Sequence, residues 1–102
     1  MEKRRLELHE KLCDILGSRN VYFQPPSSKK MNYPAIVYSL SNIQKLSADN
    51  IAYVKRIAYE LTVIDRDPDN SIVDKISSLP NCRFDRPFVS DGLYHYVFTL
   101  YY

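Results

Sequence analysis

The 102 residues suffice for one compact domain and not for two. With 45% hydrophobic and 25% charged residues and no low-complexity tract, the composition is that of a globular chain and excludes general disorder. Fourteen basic against twelve acidic side chains leave a net charge of +2, too balanced to argue for nucleic acid. No apolar run approaches the ~20 residues of a membrane helix. The basic start, Met1-Glu-Lys-Arg-Arg, has no apolar core behind it, so no signal peptide is expected.

The first predicted element is a helix over roughly Glu2 to Leu16. Leu8, Leu12, Ile15 and Leu16 recur at three- and four-residue spacing and form an apolar stripe, which Leu6 and Cys13 widen. Gly17 stands where a helix stops, because glycine takes the left-handed conformation without a Cβ clash. Val21-Tyr-Phe is a short strand. Gln24 to Asn32 follows as a loop: Pro25 and Pro26 lack N–H groups, and Lys29 and Lys30 close a polar run without an apolar anchor, so this loop is expected to be mobile in the free subunit.

Ala35 to Leu40 alternates as a strand and runs on through Ile43 towards Leu46, with a turn at Ser47 to Asn50. The next strand is the clearest pattern in the chain. Odd positions Tyr53, Lys55, Ile57, Tyr59, Leu61 and Val63 are mostly apolar and even positions are mixed, the period of a half-buried strand. At about twice the usual ~5–6 residues, such a hairpin should project beyond so small a domain. A second helix is predicted from Asp67 as N-cap and Pro68 as first helical residue, with Ile72, Val73, Ile76 and Leu79 inward and Pro80 as its end. Cys82, Phe84, Arg86 and Phe88 then alternate in a strand, Asp91-Gly92 is a strong hairpin turn, and Tyr94, Tyr96, Phe98, Leu100 and Tyr102 share one face of the return strand. The order α-β-β-β-α-β-β predicts an α+β domain, a mainly antiparallel sheet with two helices on one face and a long protruding hairpin.

Chemical constellations are weak. Asp65, Asp67 and Asp69 have the spacing that opens a calcium loop, but Asn70 and Ile76 stand where glycine and glutamate are needed, and a helix cap accounts for them better. His9 and Cys13 lie one helical turn apart, and Cys82 and His95 complete no zinc spacing with them. With two cysteines there is no disulfide framework, and with two glycines no phosphate-cradling loop. No serine sits in a nucleophile-elbow motif. No catalytic residue, metal or cofactor is expected. Nine tyrosines suit both half-buried strands and protein–protein surfaces.

Several stretches, taken together and in order, carry a family resemblance. They are Val21-Tyr-Phe-Gln-Pro-Pro26, Met31-Asn-Tyr-Pro-Ala-Ile-Val-Tyr38, Asp49-Asn50, Tyr59-Glu-Leu-Thr-Val-Ile-Asp65 with Asp67-Pro68, Phe84-Asp-Arg86 and Asp91-Gly-Leu-Tyr-His95. The set resembles the tail-terminator and head-to-tail joining proteins of phages and prophages of Gram-positive bacteria. That resemblance implies a virion protein assembled in the host cytoplasm. It would form a hexameric ring at the head-proximal end of the tail tube, stopping tube growth and meeting the head connector or stopper. DNA would only pass through the lumen, and no membrane would be involved. Neighbouring neck and tail-completion proteins are the alternative within this region. A small nucleic-acid-binding protein, using the aromatic last strand and the pairs Lys29-Lys30 and Lys55-Arg56, is the alternative of another class. The residues expected to meet other subunits are Ile43, Leu46, Ile51, Tyr53, Lys55 and Arg56 on the hairpin and Tyr94 and Tyr96 on the last strand.

Overall fold

The computed structural model describes the backbone of residues 2–26, 30–48 and 52–102, and the side chains of these except residues 2, 44–48 and 52–56. Helix α1 spans Glu2–Leu16, and strands β1, β2 and β3 span Val21–Phe23, Ala35–Ala48 and Ala52–Asp65. Helix α2 spans Ser71–Ser77, and β4 and β5 span Cys82–Ser90 and Leu93–Tyr101. The strands form one sheet in the order β1-β2-β3-β5-β4. Among the described strand pairs, β1–β2 is parallel and the others are antiparallel. The fold is the expected α+β class, with the expected element order.

Local chemistry accounts for the boundaries. Gly17, at φ +79°, ends α1 with its N–H donated to the Cys13 carbonyl at 2.8 Å, a left-handed C-terminal cap. The Asp91-Gly92 turn has positive φ at both residues and closes the β4–β5 hairpin between Ser90 and Leu93. Helix α2 starts later than expected. Asp67 accepts from the Asp69 N–H at 2.9 Å and so builds a turn, while Asn70 is the N-cap, accepting from the Ile72 N–H at 2.7 Å. Proline and aspartate suit a turn as well as a first helical turn, and here the turn takes them.

The core lies between the helices and one sheet face. Leu8, Leu12, Ile72 and Ile76 from the helices meet Ile36, Tyr38, Ile57, Tyr59, Leu61, Val63, Phe98 and Leu100 from the sheet. The odd face of β3 is thus buried from Ile57 to Val63. Leu6, read as part of the α1 stripe, is instead half exposed, because it lies off the Leu8–Leu12 line that faces the sheet. A second correction falls in β4. A bulge between Phe84 and Arg86 breaks the alternation, so Phe84 pairs with core-facing Phe98 whereas Phe88 pairs with His95 on the opposite face. Among the described residues no helix packs on that opposite face. Its cross-strand rows are Ala35–Ile64–His95–Phe88 and Tyr22–Val37–Thr62–Val97–Arg86.

The molecule is elongated, 51 × 23 × 23 Å with a radius of gyration of 14.7 Å, against ~13 Å for a compact chain of ~100 residues. The hairpin accounts for the excess. Strand β5 pairs with β3 only as far as Ala58–Tyr101, with one more bond from the Tyr102 N–H to the Ile57 carbonyl. Beyond the Ile43–Ile57 pair, among the described residues, β2 and β3 have only each other as strand partners, from Gln44–Arg56 out to Ala48–Ala52. A bulge between Leu40 and Asn42 marks where this ribbon leaves the sheet.

Candidate assembly surfaces

Three places stand out. The first is the ribbon. At its base Ile43 is 41% exposed although its cross-strand partner Ile57 is buried, so an apolar side chain faces solvent where the sheet narrows to two strands. Ile51, and the side chains of Leu46, Tyr53, Lys55 and Arg56, lie outside the described residues, as does Lys29 of the loop expected to be mobile. Elsewhere in that loop Pro26 and Lys30 are exposed and Pro25 is half-buried. Gln24, at the loop's start, is tied to the sheet: its N–H donates to the Tyr38 carbonyl at 2.9 Å and its Oε1 accepts from the Leu40 N–H at 3.0 Å.

The second is the β4 edge. Phe84, Phe88 and Val89 are 46%, 41% and 63% exposed, a concentration of apolar surface on one nine-residue strand. Phe84 packs edge-on against Phe98 at 5.3 Å between ring centroids, and Phe88 stacks on His95 at 4.4 Å with only 12° between the planes. The Arg86 guanidinium lies 6.0 Å from the Phe88 ring. Pro87 sits in the same edge and cannot donate a backbone hydrogen bond, so this edge offers side chains more than a continuous ladder. Of the two tyrosines expected at an interface, Tyr94 is half-buried. Tyr96 is packed against the core and donates its hydroxyl to the Pro68 carbonyl at 2.7 Å.

The third is polar and joins α1 to the sheet. The Tyr38 side chain is fully buried, and its hydroxyl meets His9 Nδ1 at 2.8 Å and Arg5 Nη1 at 3.4 Å. Arg5 also lies over the Phe23 ring at 4.3 Å. Burial is the main cause that lowers the His9 pKa, with the Arg19 charge adding to it. Burial likewise raises the Tyr38 and Tyr59 hydroxyls. His9, half of an incomplete zinc pair in the sequence, is instead half-buried against the sheet. The only signal available was that Arg5 and His9 share a helix face beside Leu8 and Leu12; their partner lies in another element.

The remaining constellations do not assemble. Cys82 pairs with Leu100 and His95 with Phe88, so they sit towards opposite ends of one hairpin, and His95 Nδ1 contacts its own strand at the Leu93 carbonyl. Burial raises both the Cys13 and Cys82 thiols, the opposite of what a nucleophilic thiol needs. Asp65 accepts from the Arg66 N–H and from Asn70 Nδ2, which spends its oxygens on the loop. Among the described residues no three His, Cys, Asp or Glu side chains form a metal-sized group, and no helix is long and apolar enough to cross a membrane. No protein-family model matches the chain, and neither a curated protein nor a solved structure matches it.

Proposed function

We propose that this chain is a phage virion protein, a tail terminator that closes into a ring at the head-proximal end of the tail tube, halts tube growth and presents a surface to the head connector. The observation that carries the reading is the ribbon, which continues for five strand pairs beyond Ile43–Ile57, past the reach of β5. Two strands alone are marginal in water, so a ribbon that long calls for a neighbour. A ring uses heterologous contacts, and each subunit then needs two different surfaces. The ribbon with Ile43 at its base is one, and the β4 edge with Phe84, Phe88 and Val89 is the other. The ordered stretches that resemble head-to-tail joining proteins support the same reading, which requires no catalytic group.

Mass in solution at several salt concentrations, and the length of tail tubes polymerised with and without the protein, test it together. A salt-insensitive ring that caps tubes is expected. A ring that binds the connector but leaves tube growth unchanged would move the protein to the neck. A monomer that binds DNA in a salt-dependent manner would replace the reading with the nucleic-acid class.

A further inference from the structure

The contact between α1 and the sheet has a proton arrangement that can be worked out from its donors. Arg5 has only donors, so at Tyr38 Oη it donates. The hydroxyl's own proton is then left for His9 Nδ1 at 2.8 Å, which places the imidazole proton on Nε2. We propose that this makes the docking of α1 a pH-sensitive latch, closed while His9 is neutral and released when it is protonated.

An imidazolium at this position would carry a proton on Nδ1 and aim it at a hydroxyl already receiving Arg5. The Tyr38 proton would lose its acceptor inside the core, where an unmade hydrogen bond is costly. The nearby guanidinium charges oppose protonation as well. On its own helix Arg5 stands one turn back, Glu10 is adjacent and Cys13 is one turn on. The connection after α1 brings Arg19, whose guanidinium holds both Glu10 oxygens at 2.7 and 3.0 Å; Glu10 favours an imidazolium, and the Arg19 charge outweighs it. From the sheet come Tyr38 of β2 and Phe23 of β1, with Tyr59 of β3 behind Tyr38 at 6.0 Å between ring centroids. No sheet residue in this set supplies a negative charge to an imidazolium. The lowered His9 pKa agrees in direction.

The sign follows. A histidine whose docked pKa lies below its free value stabilises docking above the free value, about 6.5, and loses that contribution as pH falls below it. Release would uncover Leu8, Leu12 and Cys13, all buried beneath α1. Native-state hydrogen exchange of the whole chain, corrected for intrinsic rates, reads the opening of α1 against that of α2. Between about pH 7.5 and pH 5.5 the α1 opening constant should rise several-fold, up to about tenfold, while α2 stays level. In His9→Asn, which keeps an acceptor near the Nδ1 position but does not titrate, the α1 rise should vanish. In Tyr38→Phe, α1 should already open more at neutral pH, and its rise should shrink. The latch is refuted if wild-type α1 is flat over this range, if α1 and α2 rise together, or if either variant keeps the full wild-type rise.

Discussion

At the level of single residues, the polar side chains that matter are those that close a backbone group or a buried hydroxyl. Asn70 closes a backbone group by capping α2 through the Ile72 N–H, and it also donates to the Asp65 carboxylate. Helix α2 has only seven residues, so its first turn is a large part of it. Asn70→Ala should lower stability by about 1 kcal/mol, within the ~0.5–2 kcal/mol range of lost caps, and Asn70→Ser, which keeps a capping oxygen, should lower it less. Urea denaturation of both variants checks this; equal stability of Asn70→Ala and wild type would mean that the Asp67 turn alone starts the helix. Leu61 is fully buried at the centre of the sheet, and Leu61→Ala should cost about 2–5 kcal/mol, enough to threaten the fold of so small a domain. A loss under about 1 kcal/mol in the same assay would show that the core collapses around the gap.

Among the elements, the ribbon base and the β4 edge are expected to reveal themselves by a split between folding and assembly. Ile43 and Val89 are exposed and lie at different ends of the sheet. Ile43→Ser and Val89→Ser should each change subunit stability by no more than about 0.5 kcal/mol, the usual range for surface positions. Each should nevertheless lower the fraction of ring in native mass measurements, since each removes apolar cover from one side of a two-sided contact. If both variants assemble as wild type does, the two surfaces assigned to the ring are wrong. Most elements were legible in the sequence because their apolar periods were uninterrupted: the Leu8–Leu12 line of α1, the alternation from Ile57 to Val63, and the Asp91-Gly92 turn. The β4 bulge was not, because one extra residue at Asp85 leaves the composition of the strand unchanged while moving Phe88 to the other face. The late start of α2 was hidden by Asp67 and Pro68, which suit two local structures equally. The role of His9 was hidden for a different reason, since its partner is 29 residues away in sequence and only the β2 register brings them together.

For the whole molecule, the decisive feature is the separation of a packed body from a paired extension. Strand β1 ends against β2 at Phe23–Tyr38, and β5 ends against β3 at Ala58–Tyr101, so neither flanks the ribbon. The body has its own core between the helices and the sheet, and Ile57 is a buried member of it at the base of the ribbon. Replacing residues 44–56 by Asn-Gly would close β2 and β3 directly across the Ile43–Ile57 pair, with the turn that two-residue hairpins prefer. The shortened chain should fold, with stability changed by about 1 kcal/mol or less and Tm by no more than about 4–8 °C. Its long dimension should fall from 51 Å by the rise of the lost pairs, ~17 Å. It should not form rings, and it should not cap tail tubes. Small-angle scattering, thermal unfolding and native mass measurements on the same sample separate the outcomes. A shortened chain that still forms rings would place the subunit contact on the body, with the β4 edge as its remaining apolar surface. A shortened chain that cannot fold would make the ribbon part of the core, and the division into body and extension would then be wrong.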